Sequence, residues 1–180
     1  ITAFGRARVD NTASPVNFSI STDRSDPDQH QLSLSVGGFS LPDRDYYLVD
    51  SERNLNIRKE FVEHVARILS LAGIEDGADK ADAILSLETR IAEFTWPRAQ
   101  RRNRDLTYNP MNFDDFITEY PGFDWERFFS SAGVENLEDL NVIYPSAMSP
   151  TIDLVNDVSI EDWKSLMTYR LVNDSARFLS

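Results

Sequence analysis

The sequence predicts a mainly α fold: a multi-helix lobe with a small antiparallel β-hairpin near the N-terminus. Three observations carry that expectation. Apolar residues recur three or four apart through long stretches after residue 50, the period of a helix that buries one face. Residues 16–20 (Val-Asn-Phe-Ser-Ile) and 32–36 (Leu-Ser-Leu-Ser-Val) instead alternate apolar and polar, the period of a half-buried strand. Capping residues and closing glycines then punctuate the chain towards its end.

Between the two alternating runs, Thr22-Asp23-Arg24-Ser25-Asp26-Pro27-Asp28 is rich in turn formers and predicts a polar hairpin loop. Its three aspartates lack the Gly and terminal Glu of a calcium loop, so turn chemistry is the expected role. Ile57, Phe61, Val65, Ile68 and Ala72 form one helical stripe, closed by Gly73. A second helix over 77–95 presents Ala81, Ile84, Leu85, Ile91 and Ala92, with Glu88 in the middle of that face. Arg98, Arg101, Arg102 and Arg104 sit between Pro97 and Asn109-Pro110, in a connection or short helix with a solvated or salt-bridged face.

Further on, Asn112 caps a helix over 113–120 and Asp124 one over 125–132, ahead of Gly133. Residues 140–144 read as a short strand, and Ser149-Pro150 as the start of a brief helix with proline in its tolerated first position. Ser159 and Asp162 open a last helix to Ser180, with Trp163, Leu166, Met167, Arg170, Leu171 and Phe178 along it. No Gly or Pro closes that helix, which suggests an excerpt from a longer protein.

Composition narrows the chemistry. The 180 residues carry 30 Asp and Glu against 18 Lys and Arg, a formal charge of −12 that disfavours nucleic acid and anionic membrane faces as partners. Without cysteine there is no thiol nucleophile, redox pair or thiolate zinc site. No apolar run approaches the roughly 18 residues of a membrane span. His30 and His64 are the only histidines, and His64, beside the first helical stripe, reads as a partly buried structural residue. Glu88 has two readings: a carboxylate paired with one of the nearby arginines to hold two helices in register, or a general acid with a raised pKa. Phosphate loops, dinucleotide fingerprints, nucleophile elbows and HExxH are absent.

The run Gly38-Phe39-Ser40-Leu41-Pro42-Asp43-Arg44-Asp45-Tyr46-Tyr47-Leu48 resembles the GLxLPDRDYYL signature of neprilysin-like zinc metallopeptidases. Further stretches resemble that family in the same order: 87–92 its LExxIA helix, 102–111 its YNxM segment, 123–129 its FxWxxFF, 141–145 its VxVxxP and 163–170 its LxxYLxW helix. The resemblance implies part of a larger two-lobed zinc metalloendopeptidase acting on oligopeptides. Residues 1–48 would supply the hairpin and a connecting segment, and 49–180 a helical segment walling the substrate cavity.

In that family the zinc ligands and glutamate base come from HExxH and a downstream ExxxD, both C-terminal to the matched region. No residue of this chain is therefore assigned a catalytic, cofactor-binding or metal role, and Zn2+ is expected outside it. The expected partners are oligopeptide substrates and the C-terminal remainder of the polypeptide, with no nucleic acid and no membrane contact from this segment. The family implies an extracytoplasmic location (periplasmic, lipoprotein or secreted), and the lack of cysteine favours a bacterial member. Asn17-Phe18-Ser19 and Asn173-Asp174-Ser175 are sequons, silent in most bacteria. Asp43, Arg44 and Asp45 with Tyr46 and Tyr47 read as a packing junction, and Glu88 as a structural carboxylate. The competing reading is a stand-alone acidic helical interaction module without enzymatic activity.

Overall fold

The computed structural model describes residues 1–175. In chain order the elements are α1 (Thr2–Val9), β1 (Val16–Thr22), β2 (His30–Val36), α2 (Asp45–Leu48), α3 (Glu52–Leu71), α4 (Gly77–Phe94) and α5 (Arg98–Arg101). There follow β3 (Pro110–Asn112), α6 (Phe113–Glu119), α7 (Trp125–Ser131), β4 (Asp139–Val142), α8 (Pro145–Asp157) and α9 (Ile160–Ser175). Helices dominate, as the sequence predicts. The chain divides into two compact units, one formed by 1–38 and 94–156, the other by 39–93 and 157 onwards.

The first unit is built on the hairpin. β1 and β2 pair antiparallel from Val16↔Val36 to Thr22↔His30. Val16, Phe18, Leu32, Leu34 and Val36 face inward, while Ile20, inward by alternation alone, is 60 % exposed where the hairpin runs past the core. The sheet is larger than the predicted hairpin: its order is β1-β2-β4-β3, with β4 parallel to β2 and β3 antiparallel to β4. Pro110 opens β3, an edge strand, where its missing N–H breaks no ladder.

Against this sheet lies a dense aromatic core. Phe18, Phe116, Phe123, Trp125, Phe128 and Phe129 are all buried, and Phe18 meets Phe128 edge-on at 6.1 Å. The Trp125 indole N–H donates to the Tyr120 carbonyl at 2.8 Å, so the largest ring is buried without a wasted donor. The predicted caps are in place: Asn112 accepts from the Asp115 amide at 2.8 Å and Asp124 from the Arg127 amide at 3.0 Å. α1, which the sequence reading lacks, packs on α7 through Gly5. A Cβ there would stand 2.3 Å from the Phe128 carbonyl oxygen, so the position admits no side chain. α8 begins at Pro145, not at Ser149-Pro150; Pro145 takes the tolerated first position and Pro150 falls inside the helix.

The second unit packs α2, α3, α4 and α9. Ser51 caps α3 by accepting from the Asn54 amide at 3.1 Å, and Gly73, at φ +74°, lets the chain leave that helix. The buried stripe of α3 is Phe61, Val65 and Leu69; Ala72, predicted to be on it, is exposed beyond the last turn. On α4, Leu87 is buried and Leu85 only half so. Ser159 caps α9, accepting from the Asp162 amide at 3.1 Å. Trp163, Leu166 and Arg170 are buried on α9 as expected, Tyr169 joins them, and Leu171 departs from the expected stripe at 47 % exposed. Phe178 lies outside the described residues. Phe61 and Tyr169 meet edge-on at 6.0 Å between α3 and α9.

Candidate functional site

The one sequence feature that breaks the apolar pattern, Glu88, marks the most unusual site in the second unit. Glu88 is fully buried and Arg170 is 4 % exposed, and their side chains meet at 2.6 Å between Oε1 and Nη2. Two further residues complete the shell. The Ser40 hydroxyl donates to Oε1 at 2.7 Å and its amide to Oε2 at 3.1 Å, while the Tyr47 phenol donates to Oε2 at 2.5 Å. Each carboxylate oxygen therefore accepts two hydrogen bonds, using the full capacity of the group. The Tyr47 oxygen in turn accepts from the Leu41 amide at 2.8 Å.

The local sequence explains the assembly. Leu41-Pro42-Asp43 turns the chain into α2, which starts at Asp45 and carries Tyr47 onto α4. The Asp43 carboxylate accepts from the Arg44 amide at 2.7 Å, and the Arg44 Nε donates to the Ala92 carbonyl on α4 at 3.2 Å. Arg58 on α3 donates to the Tyr47 carbonyl and pairs with Asp50 at 2.5 Å. Glu88 and Arg170 lie on the inner faces of α4 and α9, so the pair bridges helices 82 residues apart in sequence.

Burial and the Glu88 charge push the Tyr47 phenol well above its usual range; the same two causes push Tyr169 up to about 12. The arrangement suits register, not proton transfer. A carboxylate with every acceptor site filled and no exposed surface has neither room nor access for a substrate proton. Of the two readings of Glu88, the geometry fits the arginine-paired one, but the partner is Arg170 of α9, 82 residues along the chain, and not an arginine nearby in sequence. The sequence carries no signal for Ser40.

The other candidates are structural in their surroundings. His64 is half-buried, its Nε2 3.0 Å from the Asn173 Oδ1 and its Nδ1 3.4 Å from the Arg67 guanidinium. His30 is exposed at the start of β2. Asp23 accepts from the Ser25 amide at 2.7 Å and the Tyr108 phenol at 2.9 Å, and Asp26 from the Asp28 amide at 3.1 Å, which is turn chemistry. The amide hydrogen bond from Ser25 holds the Asp23 carboxyl below its ordinary value. Arg98, Arg102 and Arg104 are exposed around α5. Asn17 is half-buried in β1, its Nδ2 donating to the Ser14 carbonyl at 2.5 Å.

Among the described residues no three His, Cys, Asp or Glu side chains group as a metal would need. With two separated histidines, each in surroundings of its own, the donor set here does not fit zinc. Nor is any helix among the described residues long and apolar enough to cross a membrane.

The pattern of peptidase family M13 matches residues 2–180. The chain belongs to that family. It is 26 % identical over 173 residues to the endothelin-converting enzyme homolog of Locusta migratoria, covering 91 % of this chain and 24 % of that protein. Over 172 residues it is 22 % identical to the neutral endopeptidase of Lactobacillus helveticus, covering 93 % and 26 % respectively. The crystal structure of the zinc metalloprotease Zmp1 of Mycobacterium tuberculosis, in complex with an inhibitor, superposes with a TM-score of 0.90 at 28 % identity, over 99 % of this chain and 28 % of that one. The chain thus spans about a quarter of the length of these M13 relatives. The family, the mainly helical fold and the neprilysin-like resemblance are as the sequence motifs imply.

Proposed function

We propose that this chain is a portion of the N-terminal region of a zinc-dependent endopeptidase that hydrolyses oligopeptides, and that it serves as a helical wall of the substrate cavity. The observation that carries this reading is the match to peptidase family M13 over residues 2–180, joined to the fold agreement with a zinc metalloprotease. Residues 1–48 contribute the hairpin and connecting segment, and 49–180 the helical segment. No catalytic, cofactor-binding or metal-ligating residue is assigned here: zinc, its ligands and the base that activates water belong to the C-terminal remainder of the polypeptide. On this reading the residues around Glu88 act on the wall itself, fixing α2, α4 and α9 in one register. Oligopeptides and that remainder are the partners, and the location is extracytoplasmic, as the family implies.

The test uses the whole polypeptide that contains this sequence. Its coding sequence is expected to continue past Ser180 into HExxH followed by ExxxD. The purified protein is expected to bind equimolar zinc, to cleave an oligopeptide of about ten residues, and to lose that activity on chelation and regain it with zinc. A coding sequence that stops shortly after Ser180, with no zinc and no hydrolysis, overturns the proposal and leaves the acidic interaction module.

A further inference from the structure

Two adjoining depressions of about 510 and 420 Å³ lie in the first unit and share Phe113 and Leu137. They form one groove bounded by the start of α6, the outer side of α7 and the loop 134–138. Its apolar residues are the half-buried Phe113, Val134 and Leu137, backed by the buried Phe129 ring, which meets Phe113 edge-to-face at 5.8 Å, and Ser130 and Asn136 line it as well. The rim is acidic, with Asp114, Asp115, Glu126, Glu135 and Glu138 among the lining residues and no lysine or arginine. Asp115 holds the Asn112 amide at 2.6 Å. Asp114, Glu126, Glu135 and Glu138 enter no ion pair among the described residues. The groove is preformed: the Phe113 amide donates to the Glu138 carbonyl at 2.9 Å and the Val134 amide to the Phe129 carbonyl at 3.0 Å, which ties the loop to both helices.

We infer that this groove docks a short segment of a partner protein in which apolar anchor side chains are flanked by lysine or arginine. The volume is in the range that binds side-chain-sized groups, and the half-buried Phe113 ring with Val134 and Leu137 gives an apolar anchor a surface to cover. Charge complementarity selects the flanks. Five carboxylates without a counter-cation create a negative potential that attracts a basic segment and repels acidic ones. The same rim disfavours nucleic acid and anionic lipid. The inference goes beyond the peptidase reading and does not depend on it.

The experiment is fluorescence anisotropy on the whole polypeptide, with a labelled hexapeptide whose central Leu-Phe pair is flanked by Lys and Arg. Saturable binding is expected, weakening about tenfold as ionic strength rises from low to physiological values, since the attraction is screened. Glu135→Lys combined with Glu138→Lys, both exposed positions, weakens binding about tenfold or more. Leu137→Ser also weakens it, while Glu60→Lys on α3 leaves it unchanged. A Glu-flanked peptide binds at least tenfold more weakly. Zinc removal leaves groove binding intact, which separates it from capture by a peptidase active site. Lack of saturable binding, binding that vanishes with zinc and ignores the charge reversal, or salt-dependent self-association of the protein in place of peptide binding each overturns the inference. None of those results bears on whether the protein hydrolyses peptides.

Discussion

The two units solve the same packing problem with opposite materials. In the first, a cluster of rings around Trp125, Phe128 and Phe129 closes the core, and its edge-to-face contacts are each modest and partly interchangeable. In the second, the helices close over a buried ion pair, Glu88 with Arg170, held by Ser40 and Tyr47. Apolar cores tolerate change in proportion to the volume lost. A buried charge with a full shell of partners does not, because removing one member strands the others in a medium that cannot solvate them. The lesson is that the signature 38–48 is conformational: it delivers Ser40 and Tyr47 to a carboxylate on another helix.

The largest test of that contrast is Glu88→Ala, which leaves Arg170 buried without its carboxylate. It is expected to cost roughly 3–5 kcal/mol in urea denaturation, whereas Glu88→Leu with Arg170→Met recovers most of the loss. A double variant no better than the single one would remove the distinction between the units. Phe128→Ala in the aromatic core is expected to cost a similar amount, about 3–5 kcal/mol. Phe128→Leu costs clearly less, since an apolar residue refills part of the space. Graded loss there, against all-or-none loss at Glu88, is the pattern to look for in denaturation midpoints.

A smaller effect is expected for Tyr47→Phe, which deletes one charged hydrogen bond and should cost about 1.5–3 kcal/mol. Titration sharpens the same point. The folded state holds the Tyr169 proton up to about 12, against about 10 in an unfolded chain. Because the folded value is the higher one, the contribution is complete below about pH 10 and is lost as pH climbs towards about 12. Stability measured across that alkaline window should fall, and Tyr169→Phe should flatten the fall. Smallest of all, Asn112→Ala at the cap of α6 should cost about 1 kcal/mol.

What was legible in the sequence is what local interactions decide. The caps at Asn112, Asp124 and Ser159 bond amides three residues away, so the residue types alone announce them. Glu88 stood out because a carboxylate interrupts an apolar stripe. The rest depends on contacts far apart along the chain. The parallel pairing of β2 with β4 joins Ser33 to Asn141 and Leu34 to Val142, and β3 is only three residues long, too short to show a period. Ser40 reaches Glu88 only because Pro42 and α2 fold the chain back. Pro150 misled for a physical reason: proline is tolerated in a first turn, and here that place is Pro145's. The proposed wall role rests on motif order, because no local chemistry in these residues announces it.

The most direct test of the proposed function is the zinc content of the whole polypeptide carrying His30→Ala and His64→Ala together, the only histidines in this sequence. Equimolar zinc and undiminished oligopeptide hydrolysis are the expected result, since the ligands are proposed to lie in the C-terminal remainder. Loss of zinc in the double variant, with the fold intact by circular dichroism, would contradict it.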